Sequence, residues 1–253
     1  MSGSLGTLVL VRHGESVGNA RELFSGVLDV DLTPAGEEAC HHAGQRLVES
    51  GWRPDVIVTS ELVRGWRTAQ LVAGSLGTSA PVRRTWRLNE RSYGALSGHL
   101  KSDILAAHGR EQFLHWRRSL EGRPPALDPA VVALWRTLSP FDRLPAEALA
   151  ATESLADVVE RIHPWLADLE AHLRAGRHVL VVAHGNSLRA LCALLDDLTG
   201  AELRSLNLPN ARPLLYRMVD DGARLRPRER GGRYLDPELA RAEALLIAHQ
   251  GGT

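Results

Sequence analysis

Two short apolar runs in this 253-residue chain each end in a histidine-glycine pair, Leu8-Val9-Leu10-Val11-Arg12-His13-Gly14-Glu15-Ser16 and His178-Val179-Leu180-Val181-Val182-Ala183-His184-Gly185-Asn186-Ser187. A neutral imidazole is a competent nucleophile toward phosphorus near neutral pH, because its ordinary pKa is about 6.5 and no strong base is needed to activate it. His13 fits that role. Arg12 beside it offers a guanidinium fork that matches phosphate oxygens, and Gly14 lets a ligand approach the backbone closely. A second imidazole at His184 could donate to phosphoryl oxygens in flight, where charge stabilisation matters most. Thr59-Ser60-Glu61-Leu62-Val63-Arg64-Gly65-Trp66-Arg67 adds two arginines three apart, on one side of a helix that opens directly after a strand. Taken singly, each of these groups has a plainer reading as a surface histidine or a solvated helix face; their repetition at two strand ends is what suggests a catalytic crevice.

Short β-rich runs closed by glycine and followed by polar, helix-starting residues read as buried parallel strands feeding helices, with ligands beyond the carboxyl ends of the strands. After the first strand, Thr33-Pro34 opens a helix that runs to about Ser50. Asp55–Ser60 reads as a strand and Glu61–Gly74 as a helix. This alternation predicts an α/β fold, a three-layer α/β/α arrangement on a mostly parallel central sheet. Residues 82–98 read as loop, then Leu100–His108 and Arg110–Leu120 as helices parted by Gly109. Residues 121–152 carry five prolines and no clean period, so an irregular insertion of about 121–153 is expected, over a sheet edge or as a mobile loop. Ser154 and Asp157 resemble a capping box ahead of a helical face at Leu155, Val158, Val159, Ile162, Leu166, Leu169 and Leu173, with a kink at Pro164. Strand Val179–Ala183, a helix Ser187–Leu195 and a final strand Pro213–Val219 follow. Asp220–Arg233 reads as a linker, and a helix from Asp236-Pro237 to Gly251-Gly252 as a flap within a tail of about 220–253. The whole chain, 1–253, is read as a single domain.

Equal counts of 30 basic and 30 acidic residues give no net charge to drive nucleic-acid or membrane-surface binding, and neither partner is expected. With only Cys40 and Cys192 there is no disulfide framework and no thiol zinc site. The remaining histidines, His41, His42 and His163 among them, lack a ligand arrangement typical of zinc, so no metal is expected. Without a leader-like or membrane-length apolar segment, the expected location is the cytoplasm.

Arg12-His13-Gly14-Glu15, Ser60 with Arg64, and His184-Gly185-Asn186 resemble the histidine phosphatase superfamily, also called the phosphoglycerate mutase-like fold. The segment Trp86-Arg87-Leu88-Asn89-Glu90-Arg91-Ser92-Tyr93-Gly94-Ala95-Leu96-Ser97-Gly98 is similar to the one that supplies a catalytic glutamate and a substrate-binding tyrosine in cofactor-dependent phosphoglycerate mutases. By that resemblance His13 is transiently phosphorylated, while Arg12, Arg64 and His184 hold the phosphoryl group. Glu90 exchanges the proton of the leaving oxygen, since departure of an alkoxide is slow without one. Asn19, Ser25, Gly26, Tyr93, Lys101, Arg117, Arg118, Gly185 and Asn186 would bind substrate. The resemblance further implies conversion of 3-phosphoglycerate to 2-phosphoglycerate with 2,3-bisphosphoglycerate as the phosphoryl primer, and a homodimer or homotetramer.

The chain departs from that pattern at Ser92, where the family usually has histidine, at Leu100 in place of asparagine, at Asn210-Ala211 in place of Thr-Gly, and along Glu121–Pro129. Chemistry at His13 survives these changes, but they leave the substrate open. A histidine-type phosphomonoesterase, a paralogue acting on another phosphorylated or phosphonate acid, and a binding protein without turnover stand as alternatives.

Overall fold

In the computed structural model, which describes residues 4–249, strand register follows from side-chain alternation. The elements in chain order are β1 (Thr7–Arg12), α1 (Val17–Ala20), α2 (Pro34–Glu49), β2 (Val56–Thr59), α3 (Val63–Leu76), β3 (Val82–Arg84), α4 (Lys101–Arg118), α5 (Pro129–Trp135), α6 (Leu155–Arg174), β4 (Val179–Ala183), α7 (Gly185–Asp196), α8 (Gly200–Ser205), β5 (Leu214–Asp220), β6 (Leu225–Pro227), β7 (Arg233–Tyr234) and α9 (Pro237–His249). The sheet order is β3-β2-β4-β1-β5-β6, with β7 also pairing β5. Strands β1 to β4 are mutually parallel; β5 runs antiparallel to β1, and β6 and β7 antiparallel to β5. Alternate residues of the central strands face opposite layers. Leu8, Leu10, Val56, Val58, Val179 and Val181 pack with α6 and α7, whereas Val9, Val11, Ile57, Leu180 and Val182 pack with α2 and α3. The three-layer expectation holds, and the near-continuous apolar runs are those of strands buried on both faces.

Local chemistry sets the helix ends that matter for the site. Thr33 Oγ1 accepts the Gly36 amide at 3.0 Å, with Pro34 in the first turn of α2. Ser154 and Asp157 form the expected reciprocal box at the start of α6, and Pro164 sits within that helix, which stays helical on both sides of it. Gly109 adopts φ 75° and ψ 164° inside α4, so the expected break lies there as a local kink. Gly14 is required by packing: a Cβ there would lie 2.4 Å from the Gly36 carbonyl oxygen and 2.7 Å from Cys40 Sγ.

Two expectations are corrected, and for 121–153 the packing favours one of the two alternatives left open. Residues 82–98 hold β3 and two single 3-10 turns, at Trp86–Leu88 and Gly94–Leu96. The 220–233 stretch is no linker, because it turns back on β5 as β6 and β7; its register is carried by Met218 opposite Pro227 and Leu215 opposite Arg233. The chain at 121–153 is ordered rather than a mobile loop, since Val132, Phe141 and Leu149 join Val27 and Leu62 in a satellite core. The expected end of α9 at Gly251-Gly252 lies outside the described residues.

Phe141→Ala should therefore destabilise the protein by about 3 kcal/mol, the lower end for a buried aromatic truncation. Denaturant unfolding checks the magnitude, and limited proteolysis should cut the variant, but not the parent, within 121–153.

Candidate active site

Parallel pairing of β1 with β4 sets Arg12 opposite Ala183, so the next residue of each strand, His13 and His184, emerges at the same sheet end. Neighbouring strands are about 4.8 Å apart. The two imidazole centroids accordingly stand 5.0 Å apart with planes tilted by 56°. The His13 amide donates to the Ala183 carbonyl at 2.9 Å, which ties the two strand ends together. The His13 ring nitrogen Nδ1 lies 2.6 Å from the Gly14 carbonyl and must donate to it, leaving Nε2 with a free lone pair. On the partner ring, His184 Nε2 is 2.7 Å from Ser60 Oγ. Burial pushes both histidine pKa values well below 6.5, reinforced at each by the positive charges of Arg64 and Arg12. Both rings are neutral at physiological pH, which is the form in which imidazole acts as a nucleophile.

Guanidinium groups frame this pair. Arg64, on the first turn of α3, is 1% exposed and donates through Nη1 to the Leu28 carbonyl (2.7 Å) and through Nη2 to the Gly26 carbonyl (2.6 Å). Its own carbonyl accepts from Thr68 Oγ1, one turn on, which also accepts the Gly14 amide at 3.0 Å. Arg12 is anchored by Nη1 to the Leu208 carbonyl at 2.9 Å, while its buried Nε has no protein partner. Desolvation lowers both arginines to about 10, still leaving them charged near neutrality. Glu90 comes from the segment after β3. Its carboxylate accepts the Arg91 amide at 2.7 Å and faces the Asn186 amide, in the first turn of α7, at 3.3 Å.

The resulting cavity is lined by Arg12, His13, Ser16, Asn19, Leu23, Phe24, Ser25, Gly26, Arg64, Glu90, Tyr93, Lys101 and Arg117. Four cations and one carboxylate share it. Burial drops Lys101 to about 7, with Arg117 and Arg12 adding repulsion. Ser25 Oγ is buried there without a partner, as is Arg12 Nε. Unsatisfied donors and an excess of buried positive charge are costly unless an anion meets them, so the cavity is chemically fitted to a multiply charged oxyanion.

Residues 8–228 match the family model described as histidine phosphatase superfamily (branch 1). The chain belongs to the histidine phosphatase superfamily. It is 47% identical over 249 residues to a 2,3-bisphosphoglycerate-dependent phosphoglycerate mutase of Thermobifida fusca, covering 98% of this chain and all of that one. The corresponding protein of Clavibacter michiganensis subsp. michiganensis is 47% identical over 97% of each chain. Among solved structures, mycobacterial glucosyl-3-phosphoglycerate phosphatase complexed with VO3 superposes with a TM-score of 0.67 at 27% identity, over 90% of this chain and 100% of that one.

Of the residues singled out in the sequence, Arg12, His13, Asn19, Ser25, Gly26, Arg64, Glu90, Tyr93, Lys101 and Arg117 share the cavity, and the His184 ring stands beside that of His13. Arg118, Gly185 and Asn186 are not among its lining residues. Arg118 instead donates to the carbonyls of Arg204 and Leu206, and Asn186 bridges Tyr93 Oη at 3.1 Å and Arg189 at 3.1 Å. Arg118 and Asn186 thereby brace the cavity wall. Ser16, Leu23 and Phe24 also line the cavity and were not expected as site residues. Ser16 could have been found from its position as the cap of a polar turn after the histidine strand: its backbone amide and hydroxyl both donate to Asn19 Oδ1. Thr68 also escaped notice, although its position four residues after Arg64 puts both on one helix face.

None of the three point departures from the family pattern lines the cavity. Ser92 is buried behind it and Leu100 is 40% exposed at the start of α4. Asn210 donates from Nδ2 to the His13 carbonyl at 2.6 Å, so it fixes the backbone at His13.

Because the folded-state pKa values of His13 and His184 lie below 6.5, the unfolded chain binds more protons once pH falls under that value. Stability from these two rings is fully present above about 6.5 and declines below it, by up to about 1.4 kcal/mol per pH unit for each ring. Denaturant titrations from pH 7.5 to 5 should show this slope, and His184→Asn should make it shallower. Gly65→Ala should lower activity at least about tenfold through misplacement of a catalytic group, because a Cβ there would sit 2.3 Å from Ser60 Oγ and 3.4 Å from His184 Nε2. Steady-state kinetics check that outcome.

Proposed function

We propose that the chain is a 2,3-bisphosphoglycerate-dependent phosphoglycerate mutase that interconverts 3-phosphoglycerate and 2-phosphoglycerate through a phosphohistidine at His13. The observation that carries this reading is a second cationic set, Lys101 and Arg117, in the same cavity as Arg12, His13 and Arg64. A ligand holding a carboxylate and two phosphates needs fixed positive charge beyond what grips the reacting phosphoryl group. The near-full-length 47% identity to proteins of that name supports it. Bound 2,3-bisphosphoglycerate would supply the phosphoryl group that primes His13.

In each transfer, His13 Nε2 attacks phosphorus in line as the P–O ester bond breaks, and the leaving oxygen takes its proton from the Glu90 carboxylic acid, leaving Glu90 as carboxylate. The next transfer runs this in reverse: Glu90 accepts the hydroxyl proton as the acceptor oxygen attacks the phosphohistidine and the P–N bond breaks. Arg12, Arg64 and His184 hold the three equatorial oxygens, and the Gly14 carbonyl keeps the His13 tautomer. The substrate class is a small phosphorylated acid, and with it goes a cytoplasmic homodimer or homotetramer whose chain is one catalytic domain.

A phosphomonoesterase is the second reading, favoured by the solved phosphatase that shares the fold at 27% identity. Only the acceptor would differ, water replacing a hydroxyl of the sugar acid. Supplying 3-phosphoglycerate with catalytic 2,3-bisphosphoglycerate separates the two. The mutase reading expects 2-phosphoglycerate to form much faster than free phosphate; phosphate as the main product would replace it with the phosphatase. Lys101 provides a further check. Its pKa of about 7 must rise when an anion binds, so 3-phosphoglycerate binding at pH 8 should take up protons. Calorimetry in buffers of different ionisation enthalpy measures the uptake, which Lys101→Met should largely remove.

A further inference from the structure

The segment that carries Glu90 has no strand or long helix to hold it. Between the 3-10 turn ending at Leu88 and the one beginning at Gly94 the backbone is irregular, yet Asn89 to Tyr93 are all buried. Its polar groups therefore need partners from elsewhere. Arg161, on α6, meets the two carbonyls at Glu90 and just before it. Its Nη2 donates to the Asn89 carbonyl at 2.7 Å and to the Glu90 carbonyl at 3.3 Å, and its Nη1 donates to the Arg87 carbonyl. Arg161 Nε is held at 2.7 Å by Glu153 Oε1, and Glu153 Oε2 accepts the Ser92 amide at 2.8 Å. The Glu153 amide in turn donates to the Ser92 carbonyl at 3.0 Å. Carbonyls on one side of Glu90 and the amide on the other are thus seized by a single ion pair.

That pair is nearly withdrawn from water, with side chains 11% and 9% exposed. Burying an ion pair gives little or no net stability over an apolar pair of the same size, so its position invites a functional reading. A guanidinium has five donors in a rigid plane, and this one spreads them over one carboxylate and three carbonyls; an ammonium on a flexible stem cannot. Glu153 also ends the 121–153 insertion and stands one residue before the cap of α6.

We propose that the Glu153–Arg161 pair is the positioning device for the Glu90 carboxylate, fixing the backbone on both sides of it so that the proton is delivered to the leaving oxygen. This rests on the reading of Glu90 as the proton donor. Both residues act through Glu90 and touch neither phosphorus nor the cavity.

The test uses the dependence of proton transfer on the leaving group. Phosphorylation of His13 by 2,3-bisphosphoglycerate expels an alkoxide that needs a proton; phosphorylation by p-nitrophenyl phosphate expels a stable phenolate that does not. Single-turnover formation of phosphohistidine is measured with each donor in the parent, Arg161→Lys, Glu153→Gln and Glu90→Gln. The clamp variants should lose about ten- to a hundredfold with 2,3-bisphosphoglycerate, keep the donor concentration for half-maximal rate within about twofold, and lose less than about threefold with p-nitrophenyl phosphate. Equal losses with both donors would mean a merely structural pair, and no loss with either would remove the pair from the mechanism; both overturn the proposal. If Glu90→Gln shows the donor dependence and the clamp variants do not, the clamp alone falls. If Glu90→Gln shows none, the acid role falls and the clamp with it. Should Arg161→Lys not fold, Glu153→Gln carries the same comparison, since it keeps the shape while losing the charge and one of the two acceptor oxygens.

Discussion

The structure depends on the parallel register of β1 against β4. Arg12 opposite Ala183 sends two imidazoles out of adjacent strands at the same end, and the spacing of strands does the rest. A shift by one residue would turn one ring into the opposite helical layer, because successive side chains alternate faces. The apolar runs that precede each histidine are what hold that register: one set of alternate residues is buried under α6 and α7, the other under α2 and α3.

Electrostatics is the second constraint. Arg12, Arg64, Lys101 and Arg117 converge on a cavity whose lining has one carboxylate, Glu90. Each arginine is held in place, Arg12 and Arg64 by backbone carbonyls and Arg117 over the rings of Phe24 and Phe113. Such preorganised charge is poor for stability and good for binding anions, since no reorganisation is needed when charge arrives. Burial, reinforced by Arg64 and Arg12, keeps both histidines neutral. Two residues that look like ligand contacts in the sequence, Arg118 and Asn186, hold the wall in which these groups sit.

Much of the fold was legible because its signals are local. Apolar runs gave β1, β2 and β4, and Thr33-Pro34 and Ser154 with Asp157 marked helix starts by side-chain chemistry that needs no tertiary context. The misread parts depend on partners far away. Strands β6 and β7 are three and two residues long and exist because β5 offers them an edge, which no period reveals. The 121–153 segment is ordered by scattered apolar side chains, Val132, Phe141 and Leu149 at their centre, meeting Val27 and Leu62 at spacings that follow no single period. At the site, the motif residues were readable and the supports were not: Arg161 lies on an ordinary helix, 71 positions from Glu90, and only the fold reveals what its guanidinium collects.

The central claim is that His13 accepts a phosphoryl group. Mixing the enzyme with 2,3-bisphosphoglycerate, quenching under alkaline conditions and mapping the modified peptide by mass spectrometry tests it most directly. The account predicts one acid-labile phosphoryl group, on His13 and absent from His13→Ala. A phosphoryl group on any other side chain, or turnover without an adduct, would contradict it.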